Sequence, residues 1–374
     1  MQIFVNGVVV NSMAKIVKII SILFCIINCI NHVNAQVKYS NEFLSIGVGA
    51  RSLGMSNSSV AAINDVTAGY WNPAGLTLIE SNIQVAAMHS DYFAGIAKYD
   101  YGAFASNLDS ASAFGVSFIR FGVDNIPNTT DLIDNNGNIN YDRITTFTAA
   151  DYAVNFSYAR VLPIPGLRVG ANAKIVHRKV GDMAKAWGFG IDAGAQYEYK
   201  DWLFGLMARD ITTTFNAWNF TFSDRMLEVW ELTGNEIPEN SLELTLPKIT
   251  LGAAKKVIVK ENFSVLGELN FAISTDGKRN VLISGDPFSI DPHLGIETGY
   301  KNLVFLRGGI GNIQKEKTEL GNRTTTTFQP NLGVGVKLKI LTIDYAFTDI
   351  GDQSVGLFSH VFSLKLDIYR SDQQ

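Results

Sequence analysis

Apolar and polar residues alternate with a period of two along most of the chain. In one run Leu332, Val334, Val336, Leu338 and Ile340 share a face, and Gly333, Gly335, Lys337 and Lys339 share the other. Trp187, Phe189, Ile191, Ala193, Ala195, Tyr197 and Tyr199 oppose Gly188, Gly190, Asp192, Gly194, Gln196 and Glu198. Leu167–Ile175 and Phe362–Ile368 repeat the pattern. Successive side chains point to opposite faces in a strand but not in a helix, so each run predicts a β-strand. About fourteen such runs are found, at 83–90, 95–106, 111–121, 146–160, 166–180, 185–199, 201–211, 247–260, 262–272, 289–301, 302–311, 325–340, 341–349 and 357–369.

The connections alternate in length. Those at 107–110, 161–165, 200–201, 260–261, 301–302 and 340–341 are short, and those at 122–145, 212–246, 273–288, 312–324 and 350–356 are long. Only 91–94 and 181–184 are short members of the second set. Short turns at one end and long loops at the other are the layout of an outer-membrane barrel. Alternation alone does not say which face points outward. Size does, because this many consecutive strands enclose more space than the side chains of a small soluble barrel fill. Aromatics such as Tyr92, Phe93, Tyr152, Tyr158, Trp202, Tyr300 and Tyr369 gather near strand ends, where two interfacial girdles belong. The predicted fold is all-β: a transmembrane antiparallel β-barrel of about 14 strands over residues 81–374, its apolar faces turned to outer-membrane lipid. The chain ends on a strand, which suits closure. Phe358, Phe362, Leu364, Leu366 and Ile368 look like the C-terminal signal read by barrel-assembly machinery.

The N-terminal residues break the pattern. Lys15 and Lys18 precede the apolar run Ile19–Ile27, and Val33-Asn34-Ala35 supplies the small residues of a cleavage site. Residues 1–35 thus read as a cleaved signal peptide, too short in its apolar part to span a bilayer as a helix. Met13 is an alternative start. Both cysteines, Cys25 and Cys29, lie in this segment, so the exported chain carries none. Removing it takes away two lysines and no acid, and moves the net charge from -4 to -6. An exported, cysteine-free chain fits the envelope of a Gram-negative cell, and its negative charge speaks against nucleic acid as a partner. Composition agrees with the barrel: 18% of residues are charged, against about 25% in an average soluble domain, with 33 glycines and 41 aromatics in 374 residues.

Residues 36–80 are rich in small residues and turn signals, and do not alternate. A segment this short, placed before the first strand, is expected to enter the lumen as a plug. It carries the one specific motif. Phe43-Leu44-x-Ile46-Gly47-x-Gly49-Ala50-Arg51-x-Leu53-Gly54-Met55, followed by Tyr70-Trp71-Asn72-Pro73-Ala74-Gly75-Leu76, resembles the N-terminal signature of the PorV/PorQ family of Bacteroidetes outer-membrane proteins. Asp344-Tyr345-Ala346-Phe347 and Gly351-Asp352 resemble that family's C-terminal hairpin. The resemblance implies an accessory barrel of type IX protein secretion, whose partners would be a translocon or a surface-exported protein. The Asn72-Pro73-Ala74 triplet is also similar to the hatch motif of the FadL family, fourteen-stranded barrels that transport fatty acids. That likeness implies the alternative function, a transporter for hydrophobic small molecules.

No constellation for catalysis is visible, so the chain is read as a non-enzyme without cofactor or metal. His89, His177, His293 and His360 show no metal-ligand spacing, and His89 and Ser90 fall on opposite faces. Asp131–Asn140 imitates a calcium loop but lacks the closing glutamate. Asp344 with Asp349 reads as solvated lumen charge. The candidate site residues are therefore two sets: the hatch motif Trp71, Asn72, Pro73, Ala74 and Gly75, and a candidate partner-binding loop with Trp218, Phe220, Phe222 and Trp230. Arg168, Lys174, Asp192, Glu268, Lys337 and Lys365 predict a wet, hydrogen-bonded interior. An apolar cleft between residues 42–80 and the inner wall would favour transport.

Overall fold

The computed structural model describes residues 40–93, 95–133, 137–317, 324–348 and 359–370. The expectations for the signal peptide, Gly351, Asp352 and Phe358 lie outside these residues. Sixteen strand segments form one antiparallel sheet. They are β1 Ile83–Tyr92, β2 Ala97–Asn107, β3 Ser112–Asn128, β4 Thr145–Val161, β5 Leu167–Val180, β6 Ala184–Tyr199, β7 Trp202–Arg209 and β8 Thr214–Phe220, then β9 Ser241–Thr245, β10 Lys248–Lys260, β11 Phe263–Ser274, β12 Ser289–Tyr300, β13 Val304–Lys317, β14 Thr324–Leu338, β15 Leu341–Thr348 and β16 Ser359–Ile368.

Each strand pairs with its neighbour, and β1 pairs with β16 from Ile83 opposite Ile368 to Asp91 opposite His360, which closes the ring. β8 continues the line of β7 along β6, and β9 continues that of β10. The ring therefore has fourteen staves, two of them broken, at residues 210–213 and at Leu246-Pro247. The breaks explain where the sequence reading fell short. The predicted loop 212–246 contains β8, a helix at Asp224–Thr233 and β9. Asp210 and Thr213 have φ of 55° and 58°, and interrupt the alternation before β8. β3 also runs on to Asn128 through a register shift between Val123 and Ile126, which hid its last turn-ward residues.

Polarity is inverted relative to a soluble protein. Phe156, Phe189, Leu206, Leu294, Leu332 and Leu364 lie on the outward face and are 43–56% exposed. Asn172, Lys174, Asp192, Glu268, Arg307 and Asp344 lie on the inward face and are buried. A surface of this kind is satisfied by hydrocarbon. The apolar belt ends toward the loops at an outward cluster in which Asp100 meets His89 at 2.7 Å and Arg120 at 3.6 Å. One prediction follows from the belt. Leu364→Arg near its middle is expected to lower folding stability in vesicles by about 2–4 kcal/mol, read by urea titration. An inward change of the same size is not expected to do so.

Candidate functional site

Residues 40–82 run inside the ring, and their backbone is mostly irregular: a five-residue helix at Ala50–Gly54, a single turn at Ala68–Trp71 and a 3-10 stretch at Pro73–Leu78. Irregular backbone at membrane depth has to find hydrogen-bond partners inside the protein. The inward polar residues of the wall supply them. The Glu268 carboxylate accepts from the backbone N–H groups of Ala61 and Ala62 at 2.8 and 3.1 Å. Gln84 accepts from Val66 N–H at 2.6 Å, and Asn172 donates to Gly69 O at 2.9 Å.

Ion pairs add to these contacts. Arg51 grips both oxygens of Glu297, at 2.9 and 3.0 Å. Glu297 also receives Arg307 at 2.7 Å, and Arg307 reaches Asp344 at 2.6 Å. Asp344 is thus a buried ion-pair partner, not the solvated charge the sequence suggested. On the other side Lys365 donates to Asp65 at 2.8 Å.

Asp65 accepts from the N–H and hydroxyl of Thr67 as well. Burial opposes its ionisation, but the Lys365 and Arg51 charges outweigh burial and hold the carboxyl well below the usual carboxylate range. A group lowered in this way stabilises the native state above its unfolded pKa of about 3.9 and loses that effect only as pH falls through its folded value. The contribution of Asp65, read as the difference in limited proteolysis of residues 40–82 between wild type and Asp65→Asn, is therefore expected to be unchanged between pH 7 and about pH 4. Asp65→Asn at pH 7 is expected to raise cleavage.

The hatch-motif residues sit at the centre of this packing. Trp71 donates its indole N–H to Val48 O at 2.9 Å and meets the Tyr70 ring edge-on at 4.9 Å. Asn72 is fully buried; its amide nitrogen donates to Val60 O at 2.9 Å and to Ala195 O of β6 at 3.0 Å, while its oxygen accepts from Ala74 N–H. Pro73 and Ala74 lie against Gly170, and Asn72 against Gly194, where any side chain on β5 or β6 would collide. A side chain at Gly75 would strike Ile63 O. The same relation holds around the ring: Gly205 and Gly252 face Val60 and Ala61, Gly295 and Gly309 face Met55, and Gly333 faces Gly54. These inward glycines mark where the N-terminal segment touches the wall, whereas Gly188, Gly190 and Gly335 make room for wall side chains.

The second set lies on β8 and the residues that follow it. Trp218 and Phe220 occupy the inward parity of β8, in line with buried Thr214 and Asn216. With Phe222 and Trp230 they form a ladder, with successive ring centroids 5.9, 6.1 and 4.9 Å apart. Trp218 also donates to Glu243 at 2.7 Å and lies 5.0 Å from the Arg178 guanidinium.

Between the segment and the loop-side half of the wall lies a cavity of 670 Å³, within the range of about 300–1,000 Å³ that holds small ligands. Its lining is mixed. Ile46, Leu53 and Trp71 of the segment, with Tyr92, Phe121 and Met207 of the wall, contribute apolar surface. Asn57 of the segment, with Arg209, Lys248, Asn270, Arg279 and His293, contributes polar surface, and the Arg209 guanidinium lies 5.8 Å from the centre of the Trp71 ring. The interior is thus not uniformly wet. The apolar inner wall continues through Met88, Tyr99, Tyr101 and Ile119, which the sequence reading missed. Its signal was the alternation of Tyr99 and Tyr101 with Lys98 and Asp100, which turns tyrosines inward and charges outward. Among the described residues no group of three or more His, Cys, Asp or Glu side chains is placed to hold a metal.

The ring of fourteen with a filled lumen decides the comparison with known structures. The fold is similar to that of solved barrels described as toluene transporters and a hydrocarbon channel. The toluene transporter TbuX of Ralstonia pickettii superposes with a TM-score of 0.51 at 14% identity, over 86% of this chain and 99% of that one. The CymD monoaromatic hydrocarbon channel gives 0.52 at 13%, over 87% and 98%. The toluene transporter TodX of P. putida gives 0.51 at 14%, over 87% and 99%. No family model and no curated protein matches the sequence. At these identities the likeness is one of fold.

Proposed function

We propose that the protein is an outer-membrane channel for hydrophobic small molecules, with residues 40–82 as its hatch. The observation that carries this reading is the cavity between hatch and wall, to which Ile46, Leu53, Trp71, Tyr92, Phe121 and Met207 contribute apolar surface. It is the cleft that distinguishes transport from a merely structural barrel. The fold likeness to proteins described as toluene transporters and a hydrocarbon channel supports the same reading, and non-enzymatic function goes with it. A molecule arriving from the loop side reaches the cavity before it meets the hatch. Its apolar body would lie on Trp71 and Phe121, with any polar end toward Lys248 and Arg279.

Type IX secretion, implied by the PorV/PorQ resemblance, gains no support beyond that resemblance. Of the residues that carry it, at 43–55 and 70–76, Gly54 and Asn72 are occupied with wall contacts and Gly75 packs on Ile63 within the segment, as any barrel filled by its own N-terminus needs. The aromatics offered for a surface partner stack on one another. Tryptophan fluorescence tests the transport reading. Toluene or laurate added to the purified barrel is expected to change emission saturably, and Trp71→Phe is expected to remove most of that change. Absence of any saturable response, together with unchanged uptake of both compounds into vesicles containing the barrel, would refute it.

A further inference from the structure

The outward wall of β6, β7, β10 and β11 is not a smooth apolar cylinder. It holds a groove of 420 Å³ with almost no polar surface. Its floor is set by small residues, Ala195 and Ala253, and its sides by Phe204, Leu206, Leu251 and Phe271. The pairing register explains the shape. Ala195, Leu206, Leu251 and Phe271 stand in one row across four strands, and Ala253 follows Phe204 in the next. On the opposite side of the same wall, Gly205 and Gly252 admit Val60 and Ala61 of the hatch, so the wall has small residues on both faces here.

Toward the short turns the groove ends in a different chemistry. The next row brings Tyr199, Trp202 and Lys255 together. Lys255 Nζ lies 5.3 Å from the centre of the Trp202 ring, and Lys200 Nζ lies 5.2 Å from that of Tyr199. Neither lysine forms an ion pair among the described residues. Aromatic rings with lysines mark the level of lipid headgroups.

We propose that this groove is a binding site for one anionic phospholipid, with an acyl chain against Ala195 and Ala253 and the phosphate held by Lys255 and Lys200. The orientation is fixed by the ends of the groove, so the lipid belongs to the leaflet on the short-turn side. Apolar lining selects a hydrocarbon chain, and the two cations select a negative headgroup over a zwitterionic one. The inference rests on the reading of the chain as a membrane-spanning barrel.

Native mass spectrometry of the full barrel, purified in detergent and supplied with phosphatidylglycerol or phosphatidylcholine, tests it. A single phosphatidylglycerol adduct is expected to outlast the phosphatidylcholine adduct during delipidation. Ala253→Trp is expected to abolish it, and Ala195→Phe, which fills the groove from the other side, serves as an independent variant. Lys255→Glu is expected to weaken it at least about fivefold, since one basic residue at an anionic surface is worth about 1 kcal/mol. Equal retention of the two lipids, or an adduct untouched by both groove-filling variants, would overturn the proposal, as would a stable dimer that Ala253→Trp dissociates. Insertion into vesicles as a heat-modifiable, protease-resistant barrel is measured in parallel. Wild type that inserts but retains no lipid refutes the groove alone, whereas failure to insert refutes the membrane reading and the groove with it.

Discussion

Deletion of residues 42–78 is expected to turn a silent barrel into a conducting pore. A ring of fourteen strands is wider than one whose own side chains fill the interior, and here the N-terminal segment fills the difference. The wall is already lined for water once that segment leaves. Glu268, Asn172 and Gln84 give up backbone partners and take water instead, while Arg307 keeps Asp344 and Glu297. The larger cost falls on the apolar inner wall around Tyr99, Tyr101 and Ile119, which loses its packing on Val66, Tyr70 and Trp71. Planar-bilayer recordings are expected to show discrete steps for the deletion and near-background current for the full chain. Equal conductance would mean that the segment is not the barrier. Arg51→Ala combined with Lys365→Ala gives the graded version. It removes the anchors on Glu297 and Asp65 but leaves the Asn72 contacts, the Glu42–Arg279 pair and the Arg209 bonds to Leu44 O and Tyr70 O, so intermittent openings are expected. Each lost charged hydrogen-bonding pair weakens the closed state by about 1.5–3 kcal/mol.

The architecture was legible because a barrel writes itself locally. Each strand shows its two faces within its own residues, and the turn and loop lengths order the strands around the ring. The expected run 166–180 differs from Leu167–Val180 by a single residue. What stayed hidden depended on residues far apart in the chain. Glycines on the polar faces were visible, but not that Gly194 makes room for Asn72 or Gly333 for Gly54, since the partners are more than a hundred residues away. The charges inside were likewise visible as charges. Their pairing, Arg51 to Glu297 and Lys365 to Asp65, needed the segment placed within the ring. The loop at 212–246 was misread for a local reason. Thr214–Phe220 does alternate, but Asp210–Thr213 breaks the frame just before it, and a short strand after a break looks like a loop. The same break concealed that Trp218 and Phe220 face inward.

Asn72 offers the sharpest single-residue result. It lies at the junction of three backbone segments, and its amide satisfies each in the direction that segment needs. The nitrogen donates to Val60 O within the hatch and Ala195 O in the wall, and the oxygen accepts from Ala74 N–H at 3.3 Å. Asn72→Leu keeps a similar volume but removes all three contacts in a site closed to water. Val60 O keeps a donor in Gln196 at 3.3 Å, so with a cost of about 1–3 kcal/mol for each of the two other buried groups left unpaired the hatch is expected to lose about 2–6 kcal/mol of its hold on the wall. Asn72→Asp keeps the acceptor but turns a second oxygen toward the three carbonyl oxygens of Val60, Ala195 and Leu206, and places a charge where no cation stands among its hydrogen-bond partners. It is expected to be at least as damaging as leucine despite its nearly identical shape. Gly194→Ala reaches the same contact from the wall, because the added methyl collides with the Asn72 oxygen. Its strand pairing with Gly170 needs no change. All three variants are expected to keep the heat-modifiable barrel yet expose residues 40–82 to protease and shift Trp71 emission. If Asn72→Leu and Asn72→Asp match wild type in both measurements, the amide is not what holds the hatch to the wall, and the other contacts, among them those of Arg51, Asp65 and Glu268, carry that task.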